Sequence, residues 1–158
     1  LAFFDIGVFY LRMWTCPKCS ALLVQKNLSH SCGNYTVEGF LKGKPERGKQ
    51  LFWHLIGEFE KIGPVKLHPV KTRVAIMIQV RFAAVYHIGR GHIDGHLWLK
   101  QRVDHQRFRR IEHLGKDDFL HHFRIGHENE IDDRFREIMR IAREIGQRQH
   151  VGKNPPRP

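Results

Sequence analysis

All three cysteines of this 158-residue chain fall within 17 residues, as Cys16-Pro-Lys-Cys19 followed by His30-Ser-Cys32. So short a segment cannot bury enough apolar surface to offset the chain entropy it loses on ordering, so it must fold around something else. Zinc asks for four nitrogen or sulfur ligands in a tetrahedron, and a C-x2-C turn supplies two of them at once. The H-x-C pair closes the site from the other side of a short hairpin. Cys16, Cys19, His30 and Cys32 fill every position with protein atoms and leave none for water, which makes the expected Zn²⁺ structural rather than catalytic. A Cys16–Cys19 redox pair would want a β-α-β setting and would leave His30 and Cys32 unexplained. Ligating thiolates imply a reducing compartment, hence the cytoplasm.

Around this segment the chain divides by pattern. Residues 1–12 begin without Met and are interrupted by Asp5, so they read as an upstream extension before Met13 rather than as a signal peptide. Residues 13–40 form the zinc knuckle or ribbon, 41–149 the main domain, and the polar, proline-rich 150–158 a tail expected to be disordered. Within this scheme 33–46, with three Gly and one Pro, reads as a linker. No apolar run approaches the ~20 residues that span a bilayer.

In the main domain, Leu51, Leu55, Phe59 and Ile62 recur at helical spacing, widened by Phe52 and Ile56. Gly63-Pro64 stops that helix, with Gly expected as a left-handed cap. Strand patterns follow at 65–68, 72–78, 80–86, 96–100, 108–114 and 118–125, with a turn at Gly89-Arg-Gly91. Ile131, Phe135, Ile138, Ala142 and Ile145 then mark an amphipathic helix, with acidic residues at its start and arginines at its end, as the helix dipole favours. The expected fold is α+β: an antiparallel sheet of four to six strands, a helix before it and a helix after it, behind a small zinc-ribbon-like element.

Charge is the feature that points to a partner. The chain carries 27 Lys+Arg against 16 Asp+Glu, and residues 41–110 hold 15 of the basic and five of the acidic side chains, a net of +10. A basic surplus confined to the predicted sheet suits a polyanion. If 73–81 is one strand, Arg73 and Arg81 share a side, and with His96, Trp98 and Lys100 they form a basic face carrying an aromatic. Cations there would neutralise phosphates and the indole would stack on a base. Lys71, Arg102, Arg107, Arg109 and Arg110 would surround it, and His68 beside Lys71-Thr-Arg73 is a candidate anion contact.

Several motifs stand in an order similar to that of a known family. They are Cys-x2-Cys with His-Ser-Cys, Leu51-Phe52, Gly63-Pro64, His68-Pro-Val-Lys-Thr-Arg73, Arg81-Phe-Ala83 and Leu97-Trp-Leu-Lys100. Over roughly residues 14–150 the chain resembles the bacterial and archaeal family called domain of unknown function 5655. The resemblance implies a small domain that stands alone or beside uncharacterised or defence-associated modules, a setting in keeping with nucleic acid. It implies no agreed activity.

Enzyme signatures are sparse. There is no phosphate-binding Gly-rich loop, no nucleophile-elbow Ser and no H-E-x-x-H. Glu58 and Glu60 read as exposed helix residues. A second metal site on His92, Asp94 and His96 is disfavoured, because Gly91 and Gly95 argue against a helix and a strand would spread the ligands apart. The sequence therefore favours a non-enzymatic, zinc-containing nucleic-acid-binding protein that contacts its partner through His68, Lys71, Arg73, Arg81, Trp98, Lys100 and Arg102, with no membrane role. The alternative is a small-molecule or protein-interaction module with a purely structural zinc site. A nuclease-like reading would need a cleft joining His68 to Asp94.

Overall fold

The computed structural model describes residues 14–20, 22–23 and 32–147. The 1–12 extension, His30 and the 150–158 tail lie outside the described residues. Strands β1 (Trp14–Thr15) and β2 (Leu22–Leu23) pair antiparallel as a two-stranded ribbon. Helices α1 (Val37–Leu41) and α2 (Glu46–Ile62) come next. Strands β3 (Lys66–Val70), β4 (Arg73–Met77), β5 (Arg81–Ile88), β6 (Ile93–Leu99), β7 (Phe108–Gly115) and β8 (Asp118–Ile125) follow. Helix α3 (Asp133–Gly146) comes last. The six strands form one antiparallel sheet in the order β3-β4-β5-β6-β8-β7, so the expected α+β architecture holds at the upper end of its strand count.

One face of the sheet makes the core. Along β6, Ile93, Leu97 and Leu99 are fully buried while Asp94, His96 and Trp98 point the other way, the period-2 alternation of a sheet covered on one side. Helices α2 and α3 cover the buried face with Leu51, Phe52, Leu55, Phe59, Phe135, Ile138 and Met139. A fully buried side chain of this size contributes about 1.5–3 kcal/mol, so this layer dominates the stability of the domain. Cys16 and Leu23 belong to a separate small cluster, with Trp14 and Cys19 against it.

Three local readings need correction. The 33–46 linker contains α1, because the Thr36 side chain accepts from the Gly39 amide (2.9 Å) and Leu41, Val37 and Phe40 pack on the core. Gly63 is extended (φ 168°), not left-handed. What glycine supplies there is room, since the Arg143 guanidinium occupies the space of a Cβ on its way to the Pro64 carbonyl (3.0 Å). Glu58 is 3% exposed rather than solvated, because Arg136 and Lys61 meet its two carboxylate oxygens and neutralise it.

Candidate functional site: a basic groove on the open sheet face

The cysteines meet where their spacing places them. The Ser20 amide donates to the Cys16 carbonyl (2.8 Å), with Ser20 itself in the left-handed region (φ 57°), and this closes the C-x2-C turn. Cys32 returns to it, its Sγ 3.6 Å from that of Cys16, and the sulfurs of Cys16, Cys19 and Cys32 all lie within 4.8 Å of one another. Desolvation, with hydrogen bonds from its two neighbours, pushes the Cys32 thiol up to about 11. With three Sγ atoms gathered this closely, the donor set fits a thiophilic metal.

The open face of the sheet carries the second feature. Strands β4 and β5 are antiparallel neighbours joined by a turn, so 73–81 is not one strand. Arg73 and Arg81 nevertheless share the open face, because Arg81 pairs with Met77, and Arg73 and Met77 are four residues apart on β4. Both arginines line a groove of about 340 Å³ with Thr72, His96, Trp98 and Leu120. Its floor is Ala75 and Ala84, whose small side chains leave a trough between larger neighbours.

The charges in this groove are not compensated from within. Neither Arg73 nor Arg81 forms an ion pair among the described residues, and the Arg81 Nε and Nη2 atoms are buried without a hydrogen-bond partner there. Burial pushes the Arg81 guanidinium down, the nearby Cys19 pushes it up, and Arg73 pushes it down as a like charge. Cys19 is thus an electrostatic neighbour of the groove. His96 is driven to about 4 by desolvation, then by His122 and Arg73, so it lines the wall as a neutral imidazole. Trp98 is fixed by its Nε1–H, which donates to Asp118 Oδ1 (2.8 Å), and Lys100 meets the same oxygen (2.6 Å) while lying 5.1 Å from the indole ring.

The remaining sequence candidates separate from this group. Lys71 lies in the exposed β3–β4 turn beside Thr72. His68 pairs with Ala75 on β3, outside the groove lining. Lys100 is neutralised by Asp118, and exposed Arg102 faces Asp104 at 3.8 Å. Arg107 pairs with Glu130 and Arg110 with Glu112, so the surrounding ring of cations is largely compensated. Three strand spacings separate β3 from β6, roughly 14 Å, so His68 and Asp94 share no cleft and the nuclease-like reading falls. Thr72, Ala75 and Ala84 escaped the sequence reading. The small residues among bulky ones on β4 and β5 were the available signal.

The other half of the open face is self-neutralised. Arg124 holds Asp94 through two hydrogen bonds (2.7 and 3.0 Å). His122 bridges the Tyr86 hydroxyl (3.1 Å) and Glu112 (3.1 Å). Its neighbour His121 faces the core, where its Nε2 accepts from the Val103 amide (2.9 Å). Arg73 and Arg81, on the β3–β5 half, are therefore the groove's cations without an ion pair among the described residues.

No helix among the described residues is long and apolar enough to cross a membrane. No curated protein and no solved structure matches the chain. One family description, domain of unknown function DUF5655, matches residues 37–145. The match starts at α1 and ends in α3, so it covers the sheet and its helices but not the cysteine cluster. By that match, spanning more than half its length, the chain belongs to the DUF5655 family.

Proposed function

We propose that the protein is a non-enzymatic binder of single-stranded nucleic acid, acting in the bacterial cytoplasm. The groove between β4, β5 and β6 seats one nucleotide of the strand. Arg73 and Arg81 meet its phosphates, and Trp98 offers a face to its base. The observation that carries this reading is the pair of arginines without a carboxylate partner among the described residues, lining one groove with a tethered indole. Lys71 at the rim, with His68 one strand outward, extends the phosphate track. Zn²⁺ held by Cys16, Cys19, Cys32 and His30 orders the N-terminal element beside Arg81, a structural role with no open coordination position.

The groove volume of about 340 Å³ lies at the low end for small-ligand sites, which favours a second reading as a receptor for a small phosphorylated molecule. A length series of labelled oligonucleotides, read by fluorescence anisotropy, decides between them. Affinity that climbs from mono- to hexanucleotide supports the strand. Affinity already complete at the mononucleotide supports the small molecule.

A further inference from the structure

The β5–β6 hairpin, away from the groove, gathers three metal-ligating side chains. His87 sits opposite Asp94 across the β5–β6 pair, in a register set by the irregularity at Tyr86. His92 enters from the turn, its Nε2 3.6 Å from Asp94 Oδ2 and its ring centroid 5.3 Å from that of His87. One donor atom from each of His87, His92 and Asp94 lies within 4.8 Å of the others. Two ligands in adjacent positions on a first-row divalent ion, at bonds near 2.1 Å, stand roughly 3 Å apart. His92 and Asp94 are already near that separation, and the exposed His87 ring has the freedom to close the rest.

The turn is built to keep this space open. A Cβ on Gly89 would come within 3.0 Å of His92 Cε1 and 3.2 Å of His87 Nε2, so any larger residue would wedge between the two rings. The Gly89 amide donates to the His92 carbonyl (2.8 Å), which holds the turn closed. On its other side the Gly89 carbonyl seats against α2 in the space a Cβ on Gly48 would take. Arg124 orients the Asp94 carboxylate through two hydrogen bonds, as partners of metal-bound carboxylates do.

We infer that His87, His92 and Asp94 form a second metal site, distinct from the cysteine cluster, for a first-row divalent transition ion with coordination positions left open. Two histidines and one carboxylate select such an ion over Mg²⁺ or Ca²⁺, which prefer all-oxygen shells. The site does not depend on nucleic-acid binding, and its failure would leave that reading intact.

The test is Zn²⁺ binding by the whole chain, followed by calorimetry and metal analysis after dialysis. The wild type is expected to retain two Zn²⁺ per chain. His87→Ala and Asp94→Asn are expected to weaken one of the two by at least roughly tenfold and to leave the other unchanged. His113→Ala, which removes an exposed histidine stacked on Phe119, is expected to leave both in place. Zn²⁺ retention by the wild type that His87→Ala and Asp94→Asn leave unchanged, or a His113→Ala loss equal to that of His87→Ala, would overturn the assignment. Circular dichroism of each variant separates ligand loss from unfolding, and because His87 is exposed its truncation leaves the core intact.

Discussion

Trp98 and Asp118 are tied by a 2.8 Å hydrogen bond from the indole Nε1 to the carboxylate, across the adjacent strands β6 and β8. The bond sets the position of an aromatic ring on the wall of a groove that also holds Arg73 and Arg81. Stacking on such a ring supplies about 1–3 kcal/mol per base. Trp98→Ala is therefore expected to weaken oligonucleotide binding by roughly 5- to 150-fold. Asp118→Asn keeps an acceptor for the indole while releasing Lys100, and a smaller loss is expected. Anisotropy titrations of both variants at fixed salt check the order.

The neutral His96 makes stability depend on pH in a defined window. Its folded-state value is about 4 against an ordinary 6.5, because desolvation, then His122 and Arg73, disfavour the charged form. A depressed imidazole leaves the unfolded chain binding more protons, so stability rises with pH. The contribution is full above about pH 6.5 and is lost as pH falls towards about 4, with a slope of at most about 1.4 kcal/mol per pH unit. His121, pushed down first by burial, adds to the same slope, so the readout is the difference between wild type and His96→Asn in urea unfolding across that range. NMR titration adds a second readout: a bound polyanion is expected to raise the His96 midpoint.

One ion pair joins the two helices. Arg136 on α3 reaches the buried Glu58 carboxylate on α2 (2.6 Å), with Lys61 on its other oxygen (2.7 Å). Burial alone would raise the Glu58 carboxyl, yet the two cations hold it below its ordinary value. Removing one partner of a buried ion pair costs about 3–5 kcal/mol, and the 43% exposure of Arg136 lowers the expectation for Arg136→Ala to about 1–3. Chemical denaturation measures this directly.

Gly95 on β6 tests the sheet packing. A Cβ there would strike the Ala84 carbonyl and come within 2.5 Å of the Phe123 ring. Gly95→Ala is expected to destabilise by about 1–3 kcal/mol through overpacking. Thermal unfolding followed by circular dichroism checks it against Gly57→Ala, where a Cβ meets nothing within 4 Å.

Metal removal should act locally. Cys16 and Leu23 form their own cluster, separate from the α2–sheet–α3 core. Chelation is expected to make the three cysteines reactive to a thiol reagent, while the main thermal transition moves by only a few degrees.

How much of this was legible in the residues follows from what each pattern encodes. Period-2 and period-3.6 alternation report one buried face, so the strands, α2 and α3 could be read directly. Helix α1 could not, because five residues centred on Gly39 show no period and are held by one cap and by packing. Glu58 read as exposed because its partner Arg136 lies 78 positions away. Arg73 and Arg81 share a face through strand pairing rather than along one strand, and no local pattern tells these apart. Which cations would be cancelled, such as Lys100 by Asp118, is likewise set by register between distant strands. His87 joins His92 and Asp94 only through the β5–β6 irregularity, so the sequence reading chose His96 as their companion instead.

The central claim, that Arg73 and Arg81 line the groove to meet phosphates, is tested most directly by the salt dependence of single-stranded oligonucleotide binding. The logarithm of the affinity should fall linearly with the logarithm of salt concentration, and Arg73→Ala with Arg81→Ala should flatten that slope by about one to two. Binding that ignores salt, or a slope that the double variant leaves unchanged, would contradict it.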